Sequence, residues 1–234
     1  MIAENIKSIE TSIEQACANA QRLPKDVNII AVTKYTDSQT AKEVLPYGIR
    51  HFGENRVDKM LEKQKELADE AIIWHFIGTL QRRKVKEIIN YIDYFHALDN
   101  LKLAEEIDKR AQKTIDCFVQ VNVSKEASKQ GIFVEETMEF IKSLAPFVHI
   151  RVVGLMTMAP IDAKTSELRQ IFSTLKNLRL EIQKNSFNHA PCTELSMGMS
   201  RDYLIAIEEG ATFIRIGSAF FNKNSKEDTD GTIR

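Results

Sequence analysis

The sequence predicts an α/β protein whose parallel sheet closes into a single (β/α)8 barrel. Three observations carry this. Short β-rich runs alternate with amphipathic helical stretches from Val27 to Ile216, the pattern of a parallel sheet built from βα units. About eight such units fill the 234 residues, close to the roughly 250 residues typical of a closed barrel. No linker-like stretch or shift in composition separates the units, so one domain over residues 1–221 is expected, followed by a polar, flexible tail over 222–234. An open doubly wound sheet is the alternative.

Each element has its own signal. Ile2, Ile6, Ile9 and Ile13, then Cys17 and Ala20, recur every three or four residues and mark an extra N-terminal amphipathic helix. Pro24 and Asp26 break it. Val27 to Thr33 is the first strand and ends at Lys34. Asp37-Ser38 can cap a helix to about Val44, stopped by Pro46 and Gly48. Ile49 to Phe52 is a short strand, and Gly53-Glu54-Asn55 opens the helix of Val57, Met60, Leu61 and Leu67. Ile72 to Ile77 is a strand ended by Gly78, with Val85, Ile88 and Ile89 on the next helix. Tyr94 to Leu98 is a strand, and Asp99-Asn100 caps the helix of Leu103, Ile107 and Ala111.

The alternation continues. Ile115 to Val123 is the most β-rich run, and Ser124 to Gly131 a polar loop. A helix carries Met138, Phe140, Ile141 and Leu144, and Val148 to Met156 is a strand. Leu168, Ile171, Leu175, Leu178 and Ile182 are helical. Glu194-Leu195-Ser196 is a short strand, Tyr203 to Glu208 a helix, and Thr212 to Ile216 the last strand.

Composition narrows the function classes. Hydrophobic content of 43% with 28% charged residues fits a packed core and a solvated surface. A net charge of −1 removes the bulk attraction that drives nucleic-acid binding. The basic run Gln81 to Lys86 reads as the start of a solvated helix. Cys17, Cys117 and Cys192 are too far apart for a redox or zinc pair and read as reduced thiols. The N-terminus has no signal-peptide core, and no apolar stretch could span a bilayer. A cytoplasmic protein is expected, with neither membrane nor nucleic acid as partner. The histidines show no ligand spacing, so no metal is assigned.

In such barrels the reactive groups sit at the carboxyl ends of the strands, and phosphate commonly binds after the last two. Lys34 places a primary amine at that rim, or is a rim lysine reaching for water. Ser196-Met197-Gly198-Met199-Ser200 and Arg215-Ile216-Gly217-Ser218 suit an anion. Gly198 and Gly217 let backbone approach a ligand. Ser200 can cap the following helix, and Ser196 and Ser218 add hydroxyls. An amine beside a phosphate seat points to a bound phosphorylated aldehyde. A lysine that attacks a carbonyl must be neutral, and burial or a nearby cation lowers its pKa from about 10.4. Arg215 is such a cation if the barrel closes, or else pairs with Glu194 or another rim carboxylate. His75 is either a hydrogen-bonded core histidine or a ring contact. Asn55 is either a helix-start residue or a donor to a phenolic oxygen. Met156 and Met158 read as core filler, and Glu54, Asp99 and Asp202 as capping or helix-start carboxylates.

The runs Ala31 to Lys34, His51 to Asn55, Trp74 to Gln81, Gly154 to Met158, Leu195 to Asp202 and Ile214 to Gly217 resemble the pyridoxal phosphate homeostasis protein family, in family order over nearly the whole chain. The resemblance implies a fold type III barrel like the N-terminal domain of alanine racemase. Lys34 matches the lysine that holds pyridoxal 5′-phosphate (PLP) as an internal aldimine, and Arg215 the arginine facing the pyridine nitrogen. Ser196, Gly198, Met199, Ser200, Gly217 and Ser218 fall on the phosphate-contact stretches. Asn55, His75 and Met156 match positions near the ring. Ser128-Lys129-Gln130-Gly131 resembles the loop after strand five, with Lys129 as a second amine. Arg83 replaces the family's usual asparagine, and Ser218 its common threonine.

The expected role is PLP homeostasis and carriage without a catalytic residue or turnover, affecting amino-acid and keto-acid balance. The expected protein is a monomer that meets PLP-dependent apo-enzymes transiently. A racemase would need a second proton carrier, which its relatives draw from a further domain; the sequence ends after strand eight, and Tyr35 and Tyr203 read as packing residues. A PLP-dependent racemase or lyase, and a cofactor-free Schiff-base aldolase, are the alternatives.

Overall fold

The computed structural model describes residues 1–126 and 130–222. The expected tail therefore lies outside the described residues except for Asn222, as does Lys129. Among the described residues the order is α1 (Ile2–Asn19), β1 (Asn28–Val32), α2 (Ser38–Lys42), β2 (His51–Glu54), α3 (Val57–Glu66), β3 (Ile73–Phe76), α4 (Val85–Ile88), β4 (Tyr94–Leu98) and α5 (Leu101–Arg110). Then come β5 (Ile115–Asn122), β6 (Ile132–Phe133), α6 (Val134–Ser143), β7 (Ile150–Met156), α7 (Thr165–Gln183), β8 (Glu194–Met199), α8 (Tyr203–Glu208), β9 (Phe213–Ile216) and α9 (Ser218–Phe221).

Eight strands close into a parallel barrel in the order β1-β2-β3-β4-β5-β7-β8-β9, and β9 pairs back onto β1 with Ile30 opposite Arg215. The two-residue β6 pairs with the end of β5, outside the closed ring of eight. Consecutive strands lie side by side because each is linked to the next by a helical crossover, the connection a parallel pair requires.

The core has two parts. The larger fills the space between the sheet and the outer helices. A smaller, separate cluster of Ile30, Phe118, Val153, Met156 and Phe213 lies inside the barrel, with Tyr94 packed against it. The amphipathic α1 buries Ile2, Ile6, Ile9 and Ile13. Polar contacts tie this end of the chain to the last two βα units: Asn5 Nδ2 donates to Phe220 O at 2.9 Å, and the Arg22 guanidinium donates to Ile207 O and Ala211 O, each at 2.7 Å.

Two expectations change. The second strand runs from His51 to Glu54, two residues later than its apolar run predicts, so Gly53 and Glu54 end a strand and do not open a helix. The cause is Glu54 itself: it is fully buried and needs the Lys63 amine of α3, which fixes it on the sheet. The seventh barrel strand, β8, extends to Met199, past the expected Ser196.

Candidate functional site

The rim at the carboxyl ends of the strands gathers the predicted residues into two groups. The first lies where β8 and β9 end. Gly198 adopts φ +94°, and a Cβ there would lie 2.6 Å from Ala206 Cβ, so glycine is required. Ser200 does not cap α8 as the sequence implies. Its Oγ instead accepts from Gly217 N and Ala219 N, both at 3.3 Å, and so links the two glycine turns. Asp202 stands at the start of α8 without a side-chain cap; its carboxylate accepts from Met199 N at 2.5 Å and reaches back across the turn. Gly198, Met199, Ser200, Gly217 and Ser218 are thus brought together in one patch.

The second group lies inside the barrel. Arg215 is 5% exposed. It forms no ion pair with Glu194. Its Nη1 donates to Ser196 Oγ at 2.6 Å and its Nη2 to Thr157 O at 2.9 Å. Two neutral oxygens hold it, and the Asp202 carboxylate acts on it only through space. Burial lowers its pKa to about 10, so the group stays cationic at neutral pH. His75 is fully buried and hydrogen-bonded on both ring nitrogens, 2.8 Å from His51 and 2.8 Å from His96. It also stacks on Tyr94, with ring centroids 4.4 Å apart. His96 in turn lies 2.9 Å from Ser196 Oγ. Met156 ends β7 and is buried in the interior cluster.

Lys34 stands two residues past β1, half-buried, with Nζ 4.9 Å from the Tyr35 ring centroid. Tyr35 is 90% exposed and is not the packing residue the sequence implies; Tyr203 is buried as expected. Asn55 follows β2 and is exposed. Among the described residues no side-chain hydrogen bond joins Lys34 or Asn55 to the other two groups.

The backbone leading to Lys34 is held from behind. The Lys63 amine, 5% exposed, donates to Thr33 O at 2.5 Å and to Glu54 Oε1, and Thr33 Oγ1 donates to the same carboxylate oxygen at 2.6 Å. A buried ion pair thus pins the residue before the amine.

Sequence reasoning missed His51, His96, Thr157 and Lys63. The signal for His96 was present: in Tyr94-Phe95-His96 it shares a face with Tyr94, which alternation puts inside the barrel. His51 lies within the expected strand, but Ile49 and His51 on one face and Arg50 and Phe52 on the other give neither face an apolar pattern. The structure groups no three His, Cys, Asp or Glu side chains in metal-binding geometry among the described residues, and no helix there is long and apolar enough to cross a membrane. Cys17, Cys117 and Cys192 are free and buried.

Comparison with known proteins places this arrangement. Residues 7–225 match the family model of the alanine racemase N-terminal domain. A relative from Aquifex aeolicus, named pyridoxal phosphate homeostasis protein, is 36% identical over 223 residues, covering 94% of this chain and 97% of the relative. The chain belongs to the pyridoxal phosphate homeostasis protein family. A family member from Escherichia coli K12 is 31% identical over 226 residues, 94% of this chain and 95% of that one. The structure of PipY from Synechococcus elongatus, solved with PLP bound, superposes with a TM-score of 0.83 at 31% identity, covering 95% of this chain and 100% of PipY. An alanine racemase of Clostridium difficile shares the fold alone, with a TM-score of 0.76 at 12% identity; this chain covers 59% of it.

Proposed function

We propose that this homeostasis-family protein binds PLP at the carboxyl rim of the barrel and buffers or carries it, without a catalytic cycle of its own. Its family membership and the PLP-bound PipY support the ligand. The single observation in this chain that carries it is Arg215. A buried guanidinium hydrogen-bonded, among the described residues, only to neutral oxygens is costly to keep, and it lies beside a glycine- and serine-lined patch. The residues present fit the group. Lys34 would hold it covalently through its amine, and Arg215 would face its ring nitrogen. Gly198, Met199, Ser200, Gly217 and Ser218 would receive the phosphate, Asn55 and Met156 would lie toward the ring side, and the buried Ser196 and His75 would stand behind Arg215 without touching the group. When bound, PLP supplies an aldehyde and a conjugated ring able to withdraw electrons. Arg215 cannot give its proton to a ring nitrogen, which would limit that withdrawal. This supports a carrier over a racemase or lyase. So does the environment of the tyrosines: Tyr35 projects into solvent and Tyr203 is walled off, so neither is set as a second proton carrier for Lys34.

Release to apo-enzymes by transient contact, from a monomer in the cytoplasm, completes the reading, and the half-exposed Lys34 supports it. The test is a PLP titration followed by absorbance. A new visible band is expected, fixed by borohydride onto the Lys34 peptide and lost in Lys34→Ala. A preparation that stays colourless with excess PLP refutes the reading. Turnover of L-alanine, L-serine or L-threonine by the loaded protein at even about 1 s⁻¹ refutes the carrier role.

A further inference from the structure

The interior of the barrel holds an unbroken line of polar side chains. It runs from His51 through His75, His96 and Ser196 to Arg215, with contacts of 2.8, 2.8, 2.9 and 2.6 Å. The nitrogens alternate along it: Nδ1 of His51 meets Nε2 of His75, whose Nδ1 meets Nε2 of His96, whose Nδ1 meets Ser196 Oγ. The His51 end opens into a cavity of about 390 Å³ at the amino-terminal mouth of the barrel, opposite the rim that carries Lys34.

Proton counting gives the line a direction. A guanidinium only donates, so Ser196 Oγ accepts from Arg215. If the Ser196 hydroxyl donates to His96 Nδ1, then His96, His75 and His51 each carry their single proton on Nε2. Every contact is then satisfied, and one donor is left facing the mouth. In the opposite direction Ser196 would accept from both neighbours and its own proton would need a third partner. No such acceptor lies in hydrogen-bonding reach of this fully buried hydroxyl among the described residues, and a buried donor without an acceptor is unfavourable. Burial, the largest influence on both His75 and His96, holds them well below the usual imidazole range and keeps the rings neutral.

We propose that Arg215 sets the tautomer of all three histidines through Ser196, and that these histidines in return are positioning residues that keep the Ser196 hydroxyl in place and so aim Arg215 at the cofactor ring. The second half rests on PLP binding at the rim; the first does not. His51 is the end nearest the mouth. The charged and titratable groups around it are His75 on β3, Asp93 and Tyr94 at β4, Asp116 on β5, Arg151 on β7 and Glu194 on β8.

The test reads the tautomers directly. In cofactor-free protein with ¹⁵N-labelled histidine, two-bond nitrogen–proton spectra are expected to show His51, His75 and His96 as the Nε2–H form. Ser196→Ala removes the donor that fixes the direction. The signals of His75 and His51 are then expected to move toward a tautomer mixture, although neither touches residue 196. A role confined to local hydrogen bonding would change His96 alone, and that result overturns the lock. So does a wild-type His75 or His51 in the Nδ1–H form. The cofactor half is tested by PLP titration of His96→Gln and His96→Phe, each checked for folding by circular dichroism. At least one is expected to bind PLP more weakly or with a displaced band. Wild-type affinity and band in both folded variants overturn the positioning role. If wild-type protein itself gives no band, the PLP reading fails, and the tautomer result still decides the lock.

Discussion

Replacing Lys63 with methionine isolates one buried charge. Glu54 is fully buried, and its Oε1 takes hydrogen bonds from Lys63 Nζ and Thr33 Oγ1. Lys63→Met keeps most of the side-chain volume and deletes the cation. The Thr33 carbonyl keeps Thr36 N and Thr36 Oγ1 as donors, each at 3.0 Å, so it is not stranded. The cost is therefore that of leaving Glu54 without its counter-charge, about 3–5 kcal/mol. At about 2–4 °C per kcal/mol for a chain of this size, the Tm falls by roughly 6–20 °C. Glu54→Leu alone strands the ammonium and costs about the same. The double variant Lys63→Met/Glu54→Leu removes both charges and is expected near wild-type stability, within about 2 kcal/mol. Urea unfolding of the four proteins gives the coupling energy. The double variant also lacks the Lys63 bond to Thr33 O, so it separates stability from anchoring: it should be stable yet load PLP onto Lys34 less completely. A single-variant loss below about 1 kcal/mol, or a double variant as unstable as the two singles summed, refutes the reasoning.

Two further outcomes follow from the same geometry. His75 and His96 are neutral in the fold with lowered pKa values, whereas in the unfolded chain they titrate near the usual value of about 6.5. The unfolded state therefore binds more protons in mild acid, and stability is lost as pH falls through about 6.5, by up to about 1.4 kcal/mol per pH unit for each histidine. Urea midpoints measured from pH 7.5 to 5 check this, and a flat profile over that range contradicts it. Gly198→Ala meets both the positive φ and the 2.6 Å approach to Ala206 Cβ. It is expected to lower stability by about 1–3 kcal/mol and to weaken PLP binding by displacing the turn, measured by thermal melts and absorbance titration.

Much of the barrel was legible in the sequence because alternation and turn residues are local signals. The strand leading to Lys34, the long helix from Leu168 to Ile182 and the glycine turn at Gly217 all fall where their own residues put them, whereas Gly198 lies in an irregular stretch inside β8. The errors have a common cause. Glu54 looks like a helix-start carboxylate until α3 brings Lys63 beneath it, nine residues later in sequence. Ser200 precedes a helix and so looks like its cap, but the turn at Gly217, from another βα unit, claims its hydroxyl. His51, His75 and His96 lie on three different strands, and no spacing along the chain announces that closure of the barrel stacks them. What sequence conceals here is the pairing of polar groups across elements, which local propensity does not encode.

The line of imidazoles also bears on adventitious metal. Three rings within hydrogen-bonding distance would ordinarily invite zinc or copper, which bind through an unprotonated ring nitrogen. With the tautomers proposed above, each inward lone pair receives a neighbour's proton, and the nitrogen of His51 nearest the mouth carries a hydrogen of its own. A transition-metal ion would have to dismantle the row before coordinating any part of it, so the hollow of this barrel repels such ions by the way its protons are placed.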